Sequence, residues 1–357
     1  MISSTIHEPV LVPPIRTDAI TPLPRGRGDI QTAVVNLVDR LAPAVPVARQ
    51  PSLARDIAEV IASGPSSMVD NMFLRQSIIR GGTATNDHVI EGLAAWVTVL
   101  FDLSNLRHDR CRALDVEVDI PDEALDRLAR VLSKSCNGCI LAVPHIGSIE
   151  LFVAHLIDRG FNIGFVYSIG HKPTPTERWI YAGRHAARGT PIAIGRRHTG
   201  AEISKALKNN DVVLMVVDVY PSAKYKGIVA MAHDAEFNYP PGPARYARSG
   251  TPILAGFATR RDAQGFSMNI LDPIEYHASM PKHSAASDLT QRLATTIAEF
   301  TAERPEAYWL WHPIPHDPFL AVAQRQRPDL LNSAAATIED DEATALEVDA
   351  VNSTLMV

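Results

Sequence analysis

The 357-residue chain is short of cysteine, of aromatics and of long apolar runs, and each shortage removes a class of protein. Its three cysteines, Cys111, Cys136 and Cys139, cannot make a disulfide framework, and a chain of this length can bury a core without one. Cys136-Asn-Gly-Cys139 has the spacing of a redox or zinc pair, but no second Cys-x-x-Cys and no His-x-x-x-His accompanies it. Two small residues opening a buried strand is the plainer reading, and a reducing compartment is expected. The strongest apolar stretches, residues 92–101 and 212–217, fall far short of the ~18–20 residues that span a bilayer. No basic stretch followed by an apolar one opens the chain, so no secretory signal is read. There is also no G-x-S-x-G, no GxxxxGK[ST] and no GxGxxG. Acyl-serine chemistry on a nucleophile elbow and the common nucleotide-phosphate loops therefore have no support.

Basic residues are missing from one region only. From Leu331 to Val357 there are six acids and no Lys or Arg, whereas the whole chain has 40 acids, 34 basic residues and a net charge of -6. Without those six acids the body holds 34 of each sign. The sizeable positive region of that body is residues 159–208. Nine basic residues there (Arg159, Lys172, Arg178, Arg184, Arg188, Arg196, Arg197, Lys205 and Lys208) face Glu177 and Glu202 alone. Such a patch suits an acidic partner or an anionic lipid surface. Solvated helix faces would read the same way. A nucleic-acid partner is not expected, because no binding module accompanies the charge.

Residues 1–50 carry Pro9, Pro13, Pro14, Pro22, Pro24, Pro43 and Pro46 and read as a mostly flexible leader with a short helix around Asp29–Leu41. Residues 51–328 read as one catalytic domain and 329–357 as an acidic, disordered tail. Within the domain, helical spacing is expected at 53–62, 86–101, 121–133, 148–158, 176–187, 199–208, 243–248 and 288–303. Short apolar strands are expected at 139–143, 161–167, 191–194, 212–217 and 252–259. This alternation predicts an α/β fold with a mixed, largely parallel central sheet flanked by helices.

Ligands of such sheets gather where strands end and helices begin. The strand at 139–143 runs into Pro144-His145-Ile146-Gly147-Ser148-Ile149-Glu150. Gly147 permits a tight turn and Ser148 is a natural helix cap. His145 and Glu150 can form a dyad, the carboxylate holding one imidazole nitrogen and the other taking a proton from a hydroxyl or amine. A structural histidine beside a capping serine fits the same spacing.

PHIGSIE resembles the HxxxxD/E motif of the glycerolipid-type acyltransferases, and in particular their lipid A biosynthesis (HtrB/LpxL-like) branch. Further blocks follow in the family's order: Ile163-Gly-Phe-Val-Tyr167, Tyr181-Ala-Gly-Arg184, the segment Ala206 to Asp218, the segment Tyr239 to Ile253, and Pro305-Glu-Ala-Tyr-Trp-Leu-Trp-His312. The chain departs from the pattern at Pro144 before the histidine, at Ile149 before the acid, at Pro313-Ile-Pro315 after His312, and in having a Pro-rich leader where the family has an anchoring helix.

The resemblance implies a glycerolipid acyltransferase-like fold and direct acyl transfer without an acyl-enzyme. The donor would be a thioester of acyl carrier protein or coenzyme A, and the acceptor a hydroxyl or amine of a glycolipid or other amphiphile. His145 would be the general base and Glu150 its orienting carboxylate. Backbone N–H groups near Gly147 and Ser148, or Arg184, would meet the oxyanion. Asp218 would face the ligand or serve as a structural acceptor, and Arg196 and Arg197 would help dock the donor. No cofactor and no metal is expected; His312, His316 and Asp317 lie on a proline-stiffened segment with no third ligand in view. Trp309 and Trp311 are read as structural. The protein is expected in the cytoplasm, with peripheral contact at the inner face of the membrane. A degenerate lipid-binding protein and an acyl-thioester hydrolase are the competing readings.

Overall fold

Apolar residues recur every three or four positions at Ile30, Val34, Val35, Val38 and Ala42, and this stripe is the buried side of α1 (Arg27–Leu41) and its exit. The structure, a computed structural model, describes residues 27–64, 66–82, 84–135, 137–168, 175–194, 198–218, 227–260 and 265–309. The helix expected around Asp29–Leu41 is α1, and it is packed into the fold rather than carried in a flexible leader. Helices α2 (Gln50–Ala62), α3 (Ser67–Ile79) and α4 (Asn86–His108) close around the α1 stripe through Ile57, Met72, Leu93, Trp96 and Phe101. Proline counts alone do not reveal this apolar stripe, whose burial among the neighbouring helices holds α1 in the fold. Polar pairs fix the packing, as when Gln50 and Asn105 exchange side-chain amide bonds at 2.8 and 3.2 Å. Residues 1–26 and the tail from 310 lie outside the described residues.

Helix α4 is long and apolar enough to cross a bilayer, yet 83% of its apolar window is buried inside the protein. It runs to His108, past the expected end at Phe101, because Asp102, Ser104 and Asn105 continue it as buried polar residues with partners in the fold.

A short α5 (Arg110–Leu114), β1 (Glu117–Asp119) and α6 (Asp122–Lys134) lead into the expected alternation. It consists of β2 (Cys139–Val143), α7 (Ile149–Asp158), β3 (Ile163–Ser168), α8 (Pro175–Ala186), β4 (Thr190–Ile194), α9 (Thr199–Lys208) and β5 (Val212–Val216). After a hairpin of β6 (Ile228–Ala232) and β7 (Ala235–Tyr239) come α10 (Gly242–Ala247), β8 (Ile253–Arg260), β9 (Gly265–Ile270) and α11 (Lys282–Glu303). Seven strands form one sheet in the order β1-β9-β8-β2-β5-β3-β4, parallel throughout except at the β8–β9 hairpin. The fold is the mixed, mostly parallel α/β architecture expected. β2 and β5 lie at its centre, apolar at every position because both faces are covered. Ile140 and Ala142 pack with α11 residues Leu289 and Leu293 on one face, and Leu141 and Val143 with α7 residues Leu151 and Phe152 on the other.

Cys139 opens β2 fully buried, and burial pushes its thiol up to about 12, so it stays protonated at neutral pH. Cys136 lies outside the described residues, among which no group of three metal-ligating side chains converges.

α7 also buries His155, whose Nε2 has no hydrogen-bond partner. Burial, reinforced by Arg159 and Arg110 and opposed by Asp158, lowers its pKa from 6.5 to about 4. The folded protein therefore binds fewer protons than the unfolded chain between those values. Its stability is complete above about pH 6.5 and falls as pH drops toward 4. At pH 5 the loss from this group should be about 2 kcal/mol. Urea unfolding at pH 7 and pH 5 tests this: His155→Leu should shrink the difference between the two unfolding free energies by about that amount.

Candidate active site

β2 and β5 run side by side in parallel with Val143 opposite Val216, and the Val217 N–H donates to the Val143 carbonyl at 3.0 Å. His145 and Asp218 each lie two residues beyond that register pair, so adjacent strand ends deliver both to one point at the carboxyl edge of the sheet. Asp218 grips His145 twice. Its Oδ2 accepts the backbone N–H of His145 at 2.7 Å, and its Oδ1 lies 2.8 Å from the ring Nδ1. A carboxylate can only accept, which assigns the proton to Nδ1 and leaves the lone pair on Nε2. The side chains are 14% and 6% exposed, so the pair is sheltered while one ring edge stays accessible.

The expectation that Glu150 holds the histidine is corrected by this geometry. Glu150, in the first turn of α7, instead accepts a bond from Arg184 Nε at 2.9 Å. Five residues of sequence separation do bring Glu150 to the same loop, but the helix turns its side chain toward α8. The Arg184 guanidinium is also faced by three rings, Phe165 at 5.4 Å, Tyr167 at 5.5 Å and Tyr181 at 5.9 Å. A recess of about 180 Å³ lined by Phe165, Tyr167, Arg184, His185, Gly189 and Pro191 adjoins it. It is a shallow recess open to solvent, with no enclosed room for a fatty chain.

A second buried ion pair lies behind the first. Asp102 of α4 accepts from Arg260 at the end of β8, with side-chain exposures of 2% and 13%. Burial raises the Asp102 carboxyl above the usual range; Arg260 and the Ser148 hydroxyl pull it down, while the charge of Glu150 pushes it further up. Two carboxylates and two arginines thus balance one another beneath the first turn of α7. Sequence reasoning missed Asp102 and Arg260; the available signal was an aspartate directly after the apolar run at 92–101.

The loop between His145 and α7 is tightly wedged. Gly147 has φ +56°, and a β-carbon on it would lie 1.7 Å from the Ala258 carbonyl oxygen. Gly147→Ala should therefore lower stability by about 3 kcal/mol, through backbone strain plus overpacking, readable as a fall in the urea midpoint. The Gly147 N–H donates to the Ala307 carbonyl at 3.1 Å, so its expected role as an oxyanion donor is corrected: that proton is taken. Ser148 occupies the cap position of α7 but its hydroxyl makes no capping bond. Buried at 1% exposure, it faces the Asp102 side instead. Arg196, Arg197, Trp311, His312, His316 and Asp317 lie outside the described residues.

A family model described as bacterial lipid A biosynthesis acyltransferase matches residues 95–314. The chain belongs to this family. It is an acyltransferase acting on a lipid acceptor, and none of the curated proteins compared with it matches. The matched region of the acyltransferase begins inside α4 and includes β2, α7 and β5, with His145, Glu150, Arg184 and Asp218. Helices α1–α3 precede it, so part of the layer packed on α4 is contributed by sequence outside the family match.

Proposed function

We propose that the enzyme moves a fatty acyl group directly from a thioester of acyl carrier protein or coenzyme A to a hydroxyl or amine of a glycolipid or similar amphiphile, with His145 as general base. The observation that carries this reading is the pair of hydrogen bonds that His145 donates to Asp218, from its backbone N–H and from Nδ1, which leaves Nε2 as the ring's available base. Nε2 takes the acceptor proton as the acceptor oxygen or nitrogen attacks the thioester carbonyl. The tetrahedral oxyanion then collapses, breaking the C–S bond, and the departing thiolate recovers the proton from the imidazolium. Asp218 keeps the ring in the useful tautomer and stabilises the cation that forms.

Glu150 acts in this reading through Arg184, whose Nε it fixes while the rings of Phe165, Tyr167 and Tyr181 limit its swing. Arg184 and the first-turn N–H groups of α7 are the oxyanion donors. The basic region around α8 and α9, together with Arg196 and Arg197, meets the phosphate of the donor's pantetheine arm or its acidic carrier. The enzyme works at the cytoplasmic face of a membrane by peripheral contact, and needs no cofactor beyond the donor itself.

The test supplies the purified protein with radiolabelled acyl carrier protein or acyl-coenzyme A and a bacterial lipid extract. An acylated lipid, identified by mass, supports the reading and names the donor. Label bound without product would favour a lipid-binding protein, and free fatty acid formed without acceptor a thioester hydrolase.

A further inference from the structure

Residues 305–309 follow α11 and cross the back of the site. Pro305–Ala307 form one turn of 3₁₀ helix, after which the chain bridges to the histidine loop, Tyr308 pairing antiparallel with Ile146. Around that bridge the contacts converge on His145. The Trp309 N–H donates to the His145 carbonyl at 3.2 Å, and its indole Nε1–H donates to the Gly147 carbonyl at 2.7 Å. In return the Gly147 N–H donates to the Ala307 carbonyl. The indole also stands edge-on to the imidazole, centroids 5.0 Å apart and planes at 86°.

Asp218 fixes the amide N–H and Nδ1 of His145; Trp309 fixes its carbonyl and one side of its ring. The two therefore act on different degrees of freedom. Asp218 sets the tautomer and the approach of the ring, whereas Trp309 limits rotation of the peptide that carries it. The far end of the brace is anchored as well. Gln76 of α3, fully buried, donates to the Pro305 carbonyl at 2.8 Å and accepts from Arg80 Nε at 3.0 Å. Trp309 itself packs against the helical cluster of α1–α4.

We infer that Trp309 is a positioning residue for His145, and that Gln76 extends this brace into the N-terminal helical layer. The inference rests on the proposed role of His145 as base, and its chemistry adds nothing to that step: Trp309 neither gives nor takes a proton. It holds the Nε2 lone pair on the line of the acceptor proton, where a displacement of about 1 Å costs up to about a hundredfold in rate.

The experiment compares Trp309→Phe, Trp309→Ala and Gln76→Met with wild type and with His145→Ala, measuring kcat, KM for both substrates and thermal midpoint. Trp309→Phe keeps the ring and the backbone N–H but loses the bond to Gly147. It is expected to lower kcat about tenfold with both KM values within about twofold. Trp309→Ala, lacking the ring too, should lose about a hundredfold. Gln76→Met should lower kcat about threefold, in the same pattern and without touching the site directly. Wild-type kcat in Trp309→Phe and Trp309→Ala, or losses confined to KM or to the fraction of folded protein, would overturn the inference. The His145→Ala arm separates the two claims. If that variant turns over normally the base assignment fails, whereas an inactive His145→Ala beside fully active Trp309 variants sinks the brace alone.

Discussion

His145→Ala is expected to reduce acyl transfer by about a thousandfold with the fold retained, at a stability cost of about 1–3 kcal/mol because Asp218, 6% exposed, loses its Nδ1–H donor. Asp218→Asn is the sharper companion test. The amide can still accept the His145 backbone N–H through its oxygen. Toward the ring, however, its NH₂ is a donor and favours the tautomer with the proton on Nε2. The base is then blocked, with nearly the same atoms in the same places. Loss of about a hundredfold or more in kcat with an unchanged urea midpoint is the expected result. Initial rates with a defined acyl donor measure it. Wild-type turnover by either variant would remove His145 from the chemistry.

Glu150 should behave in the opposite way. Its side chain is 4% exposed and its partner Arg184 18%, so Glu150→Ala strands a largely buried guanidinium. The expected loss is about 3–5 kcal/mol of stability, seen in chemical denaturation. Removing a negative charge next to Asp102 also lets that carboxyl ionise more readily, which offsets a small part of the loss. Glu150→Gln keeps an acceptor for Arg184 Nε and should lose less. Replacing Glu150 and Arg184 together by alanine should be milder than the sum of the two single changes, because no unpaired charge remains. Activity should fall with Glu150→Ala too, through Arg184. The contrast with Asp218→Asn is diagnostic: one carboxylate governs rate at constant stability, the other stability first. Equal stability losses in both variants would overturn this division of labour between the two carboxylates.

Much of the scaffold was legible in the linear pattern. β2 and β5 are runs of five apolar residues that only a strand covered on both faces explains, and α9 begins and ends where its spacing predicts. The helices at 121–133 and 148–158 needed a shift of one residue or so at their ends. Other elements were not legible. β1 is a three-residue edge strand whose partner, β9, lies far along the chain, and α3 alternates polar and apolar residues too weakly to show a face. α11 starts six residues before its expected first residue because Ala285 packs into the core from a stretch that reads as loop.

The sequence by itself determined the α/β architecture, the strand end bearing His145 and the proximity of Glu150, and it offered Arg184 and Asp218 only as separate candidates. It also carried the family, through blocks whose order survives in one dimension. Only the tertiary structure decided who pairs with whom. Asp218 is 73 residues from His145 along the chain, and their meeting follows from β2 and β5 being neighbours in register, a fact of sheet topology. Glu150 is five residues from His145, yet the helical rise and the presence of Arg184 turn it away. Spacing along a chain fixes which side chains leave one loop together; hydrogen-bond partners are chosen afterwards, by the strands and helices that packing brings alongside.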